Sequence, residues 1–586
     1  MRACSILRRR IHSSANLIPR QTVNGSQFRS QPLARPYSTY RPQQPRETSS
    51  FWIASTLLTI GGGTWIYQYL YPSNLPHQPQ PRLPPNGQDP FLSVIDTLQV
   101  MPIEPAPGTV GTLTPEQEAK LREFWVLTLK VFGVPIDALE ADLNASSEPG
   151  PSTPEKKPKR RGWGLFSRGS EDDGDDSKSV SSASGVNSNV AAINIAEGDD
   201  KYGQSKEYQQ ALKDMKPEEI RTAFWNMVKQ DHPDALLLRF LRARKWDVNK
   251  ALVMMISTMR WRLQDVHVDD DIMANGEAFA LKQSQSSDPV EKKKGEDFLY
   301  QLRKGKSFLH GVDKFGRPIC VVRVRLHKAN DQDIESLERF TVYTIETARL
   351  LLAPPVETAV SYPSVVLYCY GSDKEQTIIF DMTDFSMANM DYAPVKFMIK
   401  CFEANYPESL GAVLIHKAPW LFSSIWSIIK GWLDPVVAAK IHFTKNRQDL
   451  EAVIPPGQIM KELEGDENWE YKYPEVEEGE NSLMEDTETR DKLLAERHEL
   501  AKDIQSITIE WIRAAAKKES GALSAAEEKR ADLIEKLRKQ YWEIDPYIRA
   551  RSLYDRLNIV QGHGKIEFYP TTVKADMEKV RSGTAE

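Results

Sequence analysis

Apolar and polar positions follow several rhythms along this chain, and each predicts a different kind of element. From Phe51 to Tyr71 there is no rhythm: 21 residues pass without a charge (FWIASTLLTIGGGTWIYQYLY). About 20 apolar residues cross a bilayer core, and the aromatic residues gather toward the ends, where membrane interfaces favour them. Gly61, Gly62 and Gly63 weaken a helix in water but are tolerated in lipid. The Pro-rich sequence that follows (Pro72, Pro76, Pro79, Pro81) gives the segment nothing to pack against. The pattern predicts a transmembrane helix over 51–71 and a Pro-rich linker over 72–111.

Helical spacing begins at Thr114. Thr114 caps, Pro115 takes the first helical position, and Gln117 completes a capping box. Leu121, Phe124, Trp125, Thr128 and Leu129 then recur at helical spacing to about Val131. Over 141–205 Ser, Gly, Pro and separated charge blocks (KKPKRR, EDDGDD) replace the pattern, which predicts a disordered insertion. Helices resume over 218–229, 234–245 and 247–262, with Asp234 and Asp247 as N-caps. Leu237, Leu238 and Leu241 mark an inward face, leaving Arg239, Arg242, Arg244 and Lys245 around the remaining surface.

Beyond Phe298 strands enter. A turn at Asp313–Pro318 leads into a strand over 319–324, then a helix over 334–352, a strand over 377–383, a helix over 394–403 and a strand over 413–416. Strands alternating with helices define βαβ units and a mostly parallel sheet. From Pro419 to Leu433, Trp420, Leu421, Phe422, Ile425, Trp426, Ile429, Trp432 and Leu433 go nearly all round the predicted helix, so it is either fully buried or meets lipid. A last helical region runs from Thr487 to Tyr569.

Charge changes the picture only at the start. The whole chain of 586 residues is nearly balanced at −6, which argues against a nucleic-acid binder. Residues 1–50, however, hold nine arginines, no lysine and one acid, Glu47, the composition of a mitochondrial presequence. Arg35-Pro36-Tyr37-Ser38-Thr39 resembles a cleavage site. Arg41 and Arg46 precede the span, and no Lys or Arg follows until Arg82, so the body of the protein is expected to face the intermembrane space from the inner membrane. A start at Met101 is the alternative, and gives an unanchored cytoplasmic form bound peripherally to membranes.

Catalytic motifs fail one by one. There is no GxSxG; Gly305-Lys306-Ser307 lacks the upstream glycine of a phosphate loop, where Tyr300 stands; and His498-Glu499 has Lys502 where a zinc site needs histidine. Cys4, Cys320, Cys369 and Cys401 show no paired spacing, so reduced, buried thiols are expected. Neither a cofactor nor a metal is expected.

The stretches LLLRFLRARKWDVNKA, DKFGRPICVV and NYPESLG followed by WLDPVVAAKI occur in the order and spacing of the CRAL-TRIO family, and among its members the chain most resembles phosphatidylinositol transfer proteins. The resemblance covers about 112–140 and 206–465. It implies an α/β fold: a helical N-terminal domain (112–140 and 206–265) and a mostly parallel sheet forming a lipid-binding bowl covered by helices (291–465). To these the sequence adds the transmembrane segment and a helical C-terminal extension (487–569). It implies a non-enzymatic carrier of one phospholipid, with the membrane surface as partner and the Pro419–Leu433 helix as gate. Headgroup contacts fall by resemblance on Arg244, Lys245, Glu408 and Lys440. Two positions depart from the family pattern. Val437 replaces a threonine of the phosphoinositide binders. Gln376 and Ile378 replace the Ser-x-Thr of phosphatidylcholine binders, which points to another second lipid such as a sterol precursor. The alternative function is a lipid-sensing scaffold that engages a protein partner through the C-terminal helices.

Overall fold

The computed structural model describes residues 107–147, 190, 193, 200–352 and 375–570. The presequence-like segment, the 51–71 span, most of the linker and most of the insertion lie outside the described residues. Among the described residues no helix is long and apolar enough to cross a membrane.

The helical domain opens with α1 (Pro115–Val131), whose capping box is in place: Thr114 Oγ1 accepts from the Gln117 backbone and Gln117 Oε1 accepts from the Thr114 backbone. Helix α2 (Asp137–Ser147) carries helical structure seven residues into the stretch expected to be disordered. Val190, also in that stretch, is buried and accepts a 2.7 Å hydrogen bond from Tyr208 Oη. Helices α3 (Gln204–Asp214), α4 (Pro217–Val228), α5 (Pro233–Ala243) and α6 (Val248–Arg260) complete the domain. Asp247 caps α6 as its sequence position implies. Asp234 does not cap α5. His232 does, accepting from the Asp234 backbone, because Pro233 takes the first helical position. Arg239 is likewise not on the surface: it is buried and paired with Asp231.

Helices α7 (Ala274–Ser284) and α8 (Pro289–Lys304) lead into a five-stranded sheet of order β1-β2-β3-β4-β5. Strand β1 (Ser307–Val312) is antiparallel to β2 (Pro318–Arg323), while β3 (Gln376–Asp381), β4 (Leu410–His416) and β5 (Ile441–Thr444) run parallel to β2. The register sets Ile319 opposite Thr377, Thr377 opposite Ala412 and Val413 opposite Ile441. Alternation then sends Leu309, Cys320, Ile378 and Val413 to one face and Phe308, Ile319, Ile379 and Leu414 to the other. Both faces are covered, which is why these strands read as continuous apolar runs.

One face packs on Leu450, in α13 (Arg447–Glu451), and on Val453 and Ile454 just beyond its end. The other looks toward α9 (Ile334–Leu351), α10 (Tyr392–Lys400) and α11 (Phe422–Lys430), followed by the short α12 (Pro435–Ala439). The C-terminal region folds into α14 (Thr487–Lys517), α15 (Ser520–Ile548) and α16 (Leu553–Arg556). It is not an appendage. Ile504, Trp511, Ile534 and Leu537 are buried in the same core as Phe124, Trp125 and Phe224, and Leu553, Tyr554 and Ile559 are buried in the sheet domain.

Candidate functional site

The sheet face toward α9–α11 does not close onto solid packing. It floors a hollow of ≈ 250 Å³. On that measure about 10–15 Å³ holds one water, so the space is far larger than a packing defect. Cys320, Ile378, Val413 and Ile441 line it from the sheet, Phe340, Thr344 and Ile345 from α9, and Val395, Met398 and Ile399 from α10. Such a lining offers no hydrogen bonds over most of its length, so an occupant held there must itself be mostly apolar.

Helix α11 supplies Phe422, Trp426 and Ile429 to the lining, and Leu433 and Val437 continue it. The helix is therefore not apolar on every side. Phe422, Ile425 and Ile429 are buried along one stripe, while Ser423, Ser424, Ser427 and Lys430 face solvent. Leu421 and Trp432 are half-buried. Two large apolar side chains break the polar face: Trp420, 89% exposed, and Ile428, 47% exposed. Val436 and Phe443 are also exposed, and the Phe443 ring meets Trp426 edge-on at 5.3 Å.

The two ends of α11 are held differently. Beyond its C-terminus Glu403 is buried and accepts three hydrogen bonds: from Lys201 Nζ at 2.6 Å, Tyr202 Oη at 2.6 Å and the Asp434 backbone at 2.7 Å. Lys201 also donates to the Trp432 carbonyl, and the Trp432 ring meets Tyr392 edge-on beneath Lys396. At the other end Trp420 stands in solvent, while Phe422 is buried with its ring 6.0 Å from Phe385 and 6.4 Å from Phe443.

A charged cluster occupies the edge where β3, β4 and β5 begin. Lys440 Nζ lies 3.0 Å from Glu375 and 3.6 Å from Glu408, and donates to the Leu410 carbonyl. Arg317 joins at 3.3 Å from Glu375 while holding Asp313 at 2.7 Å. Two of the four expected headgroup residues, Glu408 and Lys440, are thus brought together. Glu375 and Arg317 complete the cluster; sequence reasoning missed them as ligands, although Arg317 sits in the DKFGRP motif. Glu408 has φ 54°, a left-handed conformation uncommon outside glycine and frequent where a site dictates the backbone. Arg244 instead ends α5, where it donates to Gln204 Oε1 at 2.7 Å, and Gln204 donates to the carbonyl of Ala404, four residues before Glu408. Lys245 is exposed, at φ 52°.

Cys320 and Cys401 are buried free thiols, and burial pushes the Cys320 thiol up to about 11, out of the reactive range. Cys4 and Cys369 lie outside the described residues. Among the described residues no group of acidic, histidine and cysteine side chains could hold a metal ion.

An apolar hollow floored by a parallel sheet, walled by helices and edged by charge defines a binder of hydrophobic ligands. Family models match here: the CRAL/TRIO domain over residues 302–465 and the CRAL/TRIO N-terminal domain over 204–257. The chain is 45% identical over 371 residues to the CRAL-TRIO domain-containing protein C3H8.02 of Schizosaccharomyces pombe, covering 62% of this chain and 76% of that one. It is 41% identical over 458 residues to the phosphatidylinositol transfer protein CSR1 of Eremothecium gossypii, covering 77% and 97%. The crystal structure of Sfh5 aligns with a TM-score of 0.29 at 14% identity, over 45% of this chain and 77% of that one. The chain belongs to the CRAL-TRIO family of lipid-binding proteins.

Proposed function

We propose that this protein is a non-enzymatic lipid-transfer protein that carries one phospholipid, phosphatidylinositol by preference, in the hollow and exchanges it at membrane surfaces. The observation that carries this reading is the cavity walled by α11, with the exposed Trp420 just before the helix begins. Each buried CH₂ of an acyl chain gains roughly 0.8 kcal/mol, so a closed cavity retains its lipid in water. Release then requires the bilayer to replace that burial. Trp420, Ile428, Val436 and Phe443 supply the apolar surface that enters the interface. The Glu403 cluster holds the Trp432–Asp434 end by hydrogen bonds, whereas the Trp420 end is packed through the apolar contacts of Phe422, which lipid can replace, so α11 swings from its Trp420 end.

The headgroup takes the charged edge. A phosphodiester displaces Glu375 from Lys440, Arg317 retains Glu375, and Glu408 accepts from the inositol hydroxyls. Arg244 and Lys245 add positive charge from the helical domain. The similarity to a relative named as a phosphatidylinositol transfer protein supports the choice of head. The scaffold alternative needs a free partner surface on the C-terminal helices, and the best apolar residues of those helices are buried within the chain itself.

Vesicle-to-vesicle transfer tests the reading. Lys440→Ala is expected to lower phosphatidylinositol transfer by about tenfold or more, the worth of one charge-assisted hydrogen bond. The fold should survive, because Glu375 keeps Arg317. Transfer at the wild-type rate by the folded variant would refute the headgroup assignment.

A further inference from the structure

Strand β4 ends on a histidine, and the chain turns from it into the gate. His416 closes the strand, Lys417 follows at φ 54°, and Ala418-Pro419-Trp420 lead into α11. Alternation along β4 puts His416 on the face of Ala412 and Leu414, away from the hollow, and it is no part of the lining. The ring is completely buried. Its Nδ1 lies 3.1 Å from the hydroxyl of Thr444, the residue opposite on β5. Among the described residues its Nε2 has no hydrogen-bond partner. An orphaned buried nitrogen calls for an explanation beyond packing.

Two routes lead from this ring to α11. One is the chain itself: the Lys417 backbone donates to the Thr444 carbonyl at 2.8 Å, and the His416 carbonyl accepts from the Met382 backbone at 2.9 Å. The other is Phe443, beside Thr444, whose ring meets Trp426 at 5.3 Å and Phe422 at 6.4 Å. The His416–Thr444 pair thus fastens β4 to β5 at the root of the Trp420 end. The charges around the ring are engaged elsewhere. Asp381, opposite His416 on β3, is fully buried and accepts from Arg325 and from the Thr383 backbone, and Arg325 also pairs with Glu462. Lys417 pairs with Glu464 at 2.5 Å, and Asp449 of α13 accepts from the Lys445 backbone. His442, opposite Leu414, is the other histidine of this face. Burial holds the His416 imidazole below its ordinary value; Asp381, Glu464 and Asp449 pull against burial, and Lys417 adds to it. The neutral ring is served at Nδ1 by Thr444. A protonated ring carries N–H donors on both nitrogens, and among the described residues the one on Nε2 has no acceptor.

We propose that His416 is a proton-operated latch on the gate: neutral, it holds the Trp420 end of α11 shut through Thr444, and protonated, it moves into water and releases that end. Acid thereby acts on the gate from outside the hollow. The closed state binds the proton less readily than an open, hydrated one. Closure is therefore favoured above the ordinary histidine value of about 6.5 and weakens as pH falls below it. The inference rests on α11 being the gate.

Hydrogen exchange of residues 417–430 in the full chain, read by mass spectrometry at about pH 7.5 and about pH 5.5 and corrected for the pH dependence of the chemical step, tests this. Wild-type protein is expected to lose up to about tenfold in protection there at the lower pH, the linkage limit one unit below an open-state value of about 6.5. His416→Asn, whose amide can still bond Thr444 but takes no proton, is expected to keep its protection. Every other titrating group, His442 included, is the same in both proteins. Wild-type protection that does not change, a loss that His416→Asn shares in full, or a loss that extends equally to α14 and α15 would overturn the proposal. If His416→Asn does not fold, the wild-type comparison decides alone. Vesicle transfer of phosphatidylinositol at the higher pH separates the two readings. Transfer with pH-independent protection removes only the latch, whereas acid opening of α11 without any transfer removes the carrier reading and leaves the latch.

Discussion

Arg530 belongs to the C-terminal helices, yet its guanidinium bonds Asp234 at 2.7 and 3.0 Å across 296 residues of chain. Asp234 is 5% exposed and also accepts from Trp125 Nε1 at 2.7 Å. Burial raises the Asp234 carboxyl, but Arg530 and Trp125 outweigh it and hold it below the ordinary carboxylate range. Arg530→Ala leaves that carboxylate buried without its cation, which should cost about 3–5 kcal/mol at neutral pH, read from the denaturation midpoint. Because the folded value is depressed, the stability that ionised Asp234 contributes is fully present above the ordinary carboxylate value near 4 and is lost as pH falls through the folded one. The cost of Arg530→Ala should therefore shrink below pH ~4; a cost independent of pH, or one under ~1 kcal/mol, would contradict the pairing. The sequence offers Asp234 as a cap because its local position favours one. Nothing local announces a partner 296 residues away, and the same holds for Arg239 and Asp231, whose burial comes from packing. Glu408 and Lys440 were legible through the family motifs; Glu375 was not, since it belongs to no quoted motif.

At the scale of elements, periodicity found α1, α9 and three of the five strands. Strand β1 escaped it because Gly311, at φ 67°, sits where the pairing with β2 shifts register between Leu309 and Val312, which breaks the two-residue alternation. Strand β5 is only four residues long and gives no period to count. Helix α11 was seen but misjudged: its tryptophans made it look apolar throughout, whereas three serines and Lys430 form a solvent face. That arrangement sharpens the role of Trp420. Trp420→Ser removes the largest exposed apolar group at the N-terminal end of α11 and touches no core. Vesicle transfer should fall roughly tenfold through weaker interfacial insertion, with stability unchanged within ~0.5 kcal/mol. Undiminished transfer would mean that the protein meets membranes elsewhere.

The whole molecule joins its parts through buried charge as well as apolar packing. Glu346 of α9 receives Arg262, Lys229 and Arg349, tying the helical domain to the sheet domain. Glu277, fully buried, receives Tyr343, Tyr473 and the Leu553 backbone at 2.8–3.0 Å together with Arg556, and Tyr554 Oη accepts from the backbone of Leu309 in β1. The C-terminal region thus braces both the helical domain and the sheet domain that holds the cavity. An amphipathic pattern says that a face is buried but not against what, so the sequence described this region as an extension. Three of the family motifs, DKFGRPICVV, NYPESLG and WLDPVVAAKI, each supply residues to the lining of the hollow, and the fourth lies on α5 and α6, which is why the lipid-binding fold could be read early. The central claim is that the hollow takes a single phospholipid. Native mass spectrometry of the full chain, incubated with vesicles containing phosphatidylinositol and reisolated, measures this directly. One phosphatidylinositol bound per chain is the predicted result; a chain that emerges with no lipid adduct would contradict it.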